Sequence, residues 1–81
     1  MIKFFWQEDC PKCADAKLAI GKLEAEGVKV ERYNTSSPGG LAEATLHDVL
    51  ATPAIIIIED GIEKKSWRGE VPSLEAIKKE L

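Results

Sequence analysis

The run Ala54-Ile55-Ile56-Ile57-Ile58 limits the possible folds more than any other stretch of this chain. β-Branched side chains lose rotamer freedom in a helix and pack well on a pleated surface. A strand with no polar alternation leaves no face for water, so both of its faces must be covered. That requirement asks for a sheet with helices on both sides. Ile2-Lys3-Phe4-Phe5-Trp6 reads as a second central strand, aromatic and mostly apolar. Val28 to Tyr33 alternates well enough for a third. Asp60-Gly61 is a hairpin signal, which makes Ile62 to Trp67 an antiparallel edge strand guarded by Glu63, Lys64 and Lys65.

The helices fall between these strands. Ala14 to Glu26 carries an apolar stripe of Ala16, Ala19, Ile20 and Leu23, with Asp15, Lys17, Lys22 and Glu24 mostly outside. Gly27 is a natural residue to end it. Asn34 to Gly40 reads as a polar loop punctuated by Pro38, Gly39 and Gly40. Leu41 to Leu50 reads as helix, with Leu41, Ala44, Val49 and Leu50 as inner residues. His47 on that helix reads as a surface residue rather than a ligand. Pro72-Ser73 opens a last helix, with Leu74, Ile77 and Leu81 on one face. The element order is β-α-β-α-β-β-α, and the first strand-helix-strand unit implies parallel strands.

Composition narrows the function classes. Eighty-one residues make one small domain, 1–81, and 44% hydrophobic with 31% charged residues is ordinary for a soluble globule. The net charge of −3 offers no basic patch for nucleic acid. No apolar run approaches the length of a membrane span. Met1 to Trp6 is too short, and the chain turns acidic too soon, for a secretory signal. A cytoplasmic location is the expectation, and there a close cysteine pair is catalytic or metal-binding more often than structural.

Both cysteines of the chain lie in Trp6-Gln7-Glu8-Asp9-Cys10-Pro11-Lys12-Cys13, between the first strand and the first helix. A Cys-x-x-Cys at such a junction reads as a dithiol redox centre. The first helical turn has N–H groups without partners inside the helix, and the positive end of the dipole favours a thiolate. Only the thiolate attacks a disulfide. Lys12 favours it too, while Glu8 and Asp9 oppose it. Pro11 suits a first helical turn. A structural staple closing so short a loop contributes only about 2 kcal/mol on the chain-entropy model. A structural zinc site needs four ligands, and beyond the cysteines only His47 is soft. The remaining alternative is a metal or iron–sulfur carrier that uses the pair, with a dimer bridging a cluster through Cys10 of each subunit.

Two motifs give the chain a resemblance to the thioredoxin/glutaredoxin superfamily over essentially its whole length. Phe5-Trp6-Gln7-Glu8-Asp9-Cys10-Pro11-Lys12-Cys13 resembles the thioredoxin Phe-Trp-Ala-x-Trp-Cys-x-x-Cys stretch. Ala51-Thr52-Pro53-Ala54-Ile55 resembles the family's cis-proline segment. X–Pro bonds are those where cis costs least, about 0.5–1 kcal/mol. The resemblance implies a cis Thr52–Pro53 bond whose backbone pairs with an extended substrate. It also implies a four-stranded mixed sheet of order 2-1-3-4 flanked by three helices. The implied activity is thiol–disulfide exchange, with Cys10 as nucleophile and Cys13 as resolving thiol. Thr52, Pro53, Pro11, Lys12 and Trp6 would then contact or tune the substrate. No cofactor is implied beyond the redox-active Cys10–Cys13 disulfide. The implied partners are protein disulfides and a thioredoxin-type reductase or small thiol, with the chain a monomer.

The chain also departs from the family. The family's buried acid, six residues before the first cysteine, is Phe4 here. Glutaredoxins commonly have Tyr where Lys12 stands, and a glycine pair after the hairpin. Here that stretch is Trp67-Arg68-Gly69-Glu70-Val71, which argues against glutathione recognition. The resemblance is to a small glutaredoxin-like thioredoxin.

Overall fold

The computed structural model describes residues 1–81. Its elements are β1 (Ile2–Trp6), α1 (Pro11–Ala25), β2 (Val30–Asn34), α2 (Pro38–Leu46), β3 (Ala54–Glu59), β4 (Ile62–Arg68) and α3 (Leu74–Lys79). The strands form one four-stranded sheet in the order β2-β1-β3-β4. β1 runs parallel to β2 and antiparallel to β3, and β3 is antiparallel to β4. This is the mixed sheet and element order expected. The isoleucine run is central, and Ala54, Ile55, Ile56 and Ile57 are all buried.

Successive strand residues point to opposite faces, and the core divides accordingly. One face joins Ile2, Phe4, Ile55, Ile57 and Trp67 to Ala16, Ile20 and Leu23 of α1 and Ile77 of α3. The other joins Phe5, Ala54 and Ile56 to Ala44 of α2 and to Val49. The hairpin turns on Asp60 and Gly61, both at positive φ (54° and 77°). A two-residue turn of that hand matches the strand twist, which is why Asp-Gly specifies it.

Several boundaries differ from the sequence expectation, each for a local reason. β2 starts at Val30, not Val28, because α1 uses Val28 to close its own end. The Val28 N–H donates to the Leu23 carbonyl (3.0 Å) and the Gly27 N–H to the Glu24 carbonyl (3.0 Å), with Gly27 at φ 91°. This is the Schellman closure, which needs a left-handed residue. α2 ends at Leu46, not Leu50, by the same device, with Asp48 in the left-handed position (φ 55°) and the Val49 N–H on the Ala44 carbonyl (2.8 Å). Val49 is therefore buried from a loop, while Leu41 and Leu50, expected inside, are 57% and 97% exposed.

α2 also starts earlier than expected. Pro38, Gly39 and Gly40 are its first turn, not loop. Ser37 caps it by accepting from the Gly40 N–H (3.1 Å) while its hydroxyl donates to the Asn34 carbonyl (2.7 Å). A Cβ on Gly40 would fall 1.8 Å from that same carbonyl oxygen, so no other residue fits. In α3, Ser73 accepts from the Ala76 N–H (3.1 Å), and Leu81 lies beyond the helix, half-exposed.

Candidate functional site

Cys10 ends the turn after β1 and is the N-cap of α1, with extended backbone (φ −109°, ψ 103°) and Pro11 beginning the helix. Its carbonyl accepts the Cys13 N–H (3.1 Å). This first turn brings the two Cα atoms to 5.3 Å, and the sulfurs are joined as a disulfide. Cα separations of about 4.4–6.8 Å are those a disulfide tolerates. No side-chain cap reaches the first-turn N–H groups, since the Cys10 sulfur is bonded to Cys13. The two cysteines differ in setting. Cys10 is partly exposed. Cys13 is 2% exposed and heads the buried stripe of α1 with Ala16, Ile20 and Leu23.

Sheet register carries the other motif to the same place. Phe5 pairs with Ala54, and Ala54 with Arg68. Trp6, Pro53 and Gly69 therefore share the sheet end from which the chain passes into the cysteine turn. The Gly69 N–H donates to the Pro53 carbonyl there (2.8 Å), and Pro53 is fully buried. The Thr52–Pro53 bond is cis. Thr52 itself takes part in no backbone hydrogen bond. Beside it opens a shallow cleft of about 310 Å³, lined by Gln7, Thr35, Leu41, Val49 and Leu50 among others.

Of the other residues singled out from sequence, Pro11 and Lys12 are exposed in the first turn of α1. Trp6 packs against the apolar cluster under α1. Its ring has a partner that sequence reasoning placed in solvent: the Lys17 ammonium lies 3.8 Å from the ring centroid. A cation over Trp at this range contributes roughly 0.5–2 kcal/mol, depending on desolvation. The contact joins two elements, β1 and α1, so no helical periodicity signals it.

His47, read as a surface residue, is instead partly buried in a polar cluster on the α2 face. The Lys3 ammonium is 3.0 Å from His47 Nε2 and 3.5 Å from Glu43 Oε1. An ammonium can only donate, so in this contact Lys3 is the donor and His47 Nε2 the acceptor. The Tyr33 hydroxyl donates to Glu31 (2.7 Å), and its ring stacks on Phe5 at 5.2 Å. That hydrogen bond first, then burial and the nearby Glu43 charge, push the phenol up to about 12. Arg68 donates to the His47 carbonyl at the end of α2 (2.9 Å) and to Glu63 (3.0 Å). The Arg68 hydrogen bond holds the Glu63 carboxyl below its ordinary range against an opposing effect of burial. No group of three or more His, Cys, Asp and Glu is arranged to hold a metal ion.

No family model and no curated protein matches the sequence. Solved structures do. Thioredoxin 1 from the thermophilic eubacterium Thermosipho africanus superposes with a TM-score of 0.82 at 16% identity, over 98% of this chain and 86% of that one. Thioredoxin-2, described as a component of malaria parasite protein secretion machinery, gives 0.80 at 19% identity, over 96% of this chain and 80% of that one. The chain has a thioredoxin-like fold, with a cysteine pair at disulfide distance at the head of its first helix. That combination fits redox chemistry of the oxidoreductase kind. No helix is long and apolar enough to cross a membrane.

Proposed function

We propose that this chain is a thiol–disulfide oxidoreductase that reduces protein disulfides through Cys10-Pro11-Lys12-Cys13. The supporting observation is the convergence, at one sheet end, of the cysteine pair at a helix start with Thr52-Pro53. Reduced Cys10 attacks one substrate sulfur as the thiolate. The Cys10–S bond forms, the substrate S–S bond breaks, and the departing thiolate takes a proton. Cys13, as thiolate, then attacks the Cys10 sulfur and releases the second substrate thiol. The dithiol has given two electrons and is left as the disulfide. A reductase or a small thiol restores it.

Thr52 supports the substrate side of this reading. Its N–H and C=O lie outside the backbone hydrogen bonds of the fold, so an extended chain can pair with them as an added strand. Trp6, Pro11 and Lys12 border the turn. The working place is the cytoplasm, the working form a monomer, and no cofactor takes part beyond the disulfide. Trp67 to Val71 lacks a glycine pair, which disfavours a glutathione site. The test is insulin disulfide reduction with two donors. Turnover with thioredoxin reductase and little with glutathione alone is the expected result. No reduction with either donor refutes the activity, and efficient glutathione-coupled turnover refutes the donor assignment.

A further inference from the structure

We propose that Lys17 is a positioning charge for the resolving step, held on the face of Trp6 so that it stabilises the Cys13 thiolate. The inference rests on the oxidoreductase reading for its role, but on geometry for its existence. Cys13 is 2% exposed and lies on the buried side of α1, in one stripe with Ala16, Ile20 and Leu23. Burial among carbon disfavours a charged sulfur. Yet Cys13 must be a thiolate when it attacks Cys10, and the strand beneath offers Phe4, which cannot accept a proton or balance a charge.

Lys17 supplies what that surface lacks. It stands one turn beyond Cys13 on the same side of an unbroken helix. Helical side chains lean toward the helix N-terminus, so its stem runs back toward Cys13. Its ammonium makes no ion pair with a carboxylate. It is held over the Trp6 ring, and Trp6 itself packs against the apolar cluster. Tryptophan anchors the cation without neutralising it.

The other charges around α1 are placed differently. Glu8, Asp9, Lys12 and Asp15 are exposed around the turn. Glu24 pairs with Arg32 of β2 and Glu26 with Lys78 of α3, both at the far end of the helix. Glu70, before α3, is exposed, as are Glu75 and Lys79 on that helix. In the step itself, the Cys13 sulfur bonds to Cys10, the Cys10–substrate bond breaks, and the substrate thiolate takes up the proton that Cys13 gave to water. Lys17 balances the charge while it resides on Cys13.

The test uses the full chain with Cys10→Ser, so that Cys13 is the one thiol, and follows thiolate absorbance in the ultraviolet against pH. Lys17→Met keeps the stem and removes the charge. It should raise the midpoint so that the thiolate fraction at neutral pH falls about threefold. Lys17→Arg should retain the original midpoint, and Trp6→Leu should move it in the same direction as Lys17→Met by less. An unchanged midpoint in Lys17→Met overturns the proposal, as does an equal shift in Lys17→Arg, which would make the effect one of shape. In the two-cysteine protein, Lys17→Met should lengthen the life of the mixed disulfide with insulin by a similar factor. A shifted midpoint in a protein that reduces no disulfide keeps the Lys17–Cys13 coupling and removes the oxidoreductase reading. Exchange activity with no shift does the reverse.

Discussion

On the α1/α3 side of the sheet the buried cluster is built from apolar side chains, from Ile2 to Ile77. On the α2 side a smaller apolar cluster is extended by Lys3, Tyr33, Glu43, His47 and Arg68. The first side holds its helices by area removed from water, which is non-directional and tolerant of small shifts. The second holds a nine-residue helix partly through directed contacts between residues far apart in sequence. Such contacts add little net stability when made but cost more when one partner is left alone. The redox candidate sits on the carbon side, where Cys13 is one rung of the buried stripe, and the cleft beside Thr52 lies toward the other. The sulfurs thus rest on the side held by non-directional burial, and the cleft beside Thr52 borders the side held by directed contacts.

The largest effect that can test this division is chemical. Cys10→Ser should be inert and form no adduct. Cys13→Ser should attack and then accumulate a mixed disulfide, because nothing displaces the substrate. Neither change removes much apolar area, so folding should persist. Non-reducing gels after incubation with cell extract, followed by mass spectrometry, check both. Adducts on Cys10→Ser instead would reverse the roles, and adducts on neither would remove them.

Next in size is the carbon side itself. Phe4 is fully buried there, so Phe4→Ala should cost about 3–5 kcal/mol, read as a lower denaturant midpoint at constant slope. The α2 side should respond less. Lys3→Met removes the ammonium that faces both Glu43 and His47. Glu43 Oε2 is already buried without a hydrogen-bond partner, and His47 Nε2 lies 3.8 Å from it. A loss of about 1–2 kcal/mol is expected, and Glu43→Gln in the same chain should recover part of it. If Lys3→Met costs as much as Phe4→Ala, the contrast between the faces fails.

The smallest effect is a pH dependence. Tyr33 is the one tyrosine of the chain, so phenolate absorbance reports it alone. Its folded value, about 12, lies above the ordinary value of 10.0. The folded state therefore holds that proton more tightly than the unfolded one. This contribution to stability is complete below pH 10 and disappears as pH rises toward 12. Denaturant should bring the midpoint back to the ordinary value, and Glu31→Gln should lower it in the folded protein. A folded midpoint near 10 would remove Tyr33 from the polar cluster.

The two sides were also unequally legible in the sequence. The isoleucine strand, the Asp60-Gly61 turn, the α1 stripe and the cysteine pair at the helix start could all be read from local pattern. Local pattern is what carbon packing leaves behind, since burial follows periodicity. The α2 side left less. Its helix begins with Pro-Gly-Gly, which imitates a loop unless Ser37 is seen as its cap. It ends at Leu46 and is closed off by Asp48, whose left-handed backbone periodicity does not announce. Lys3 lies 44 residues from His47, and no windowed pattern joins them. Lys17 was read as solvent-facing because charge on a helix usually is. What set it apart was a cross-element contact with Trp6.

Gly40 gives the β2–α2 junction a particular standing in any library of variants. Every L-residue at position 40 would drive its Cβ into the Asn34 carbonyl, whereas Gly39 beside it faces open space. The carbonyl cannot retreat cheaply, because it already holds the Ser37 hydroxyl and the Ser37 N–H. Randomisation should therefore return almost one letter at position 40 and many at its neighbour. Thr35 and Leu41, on the wall of the cleft, flank this invariant point. Libraries that reshape the cleft can vary both, provided the glycine between them is left alone.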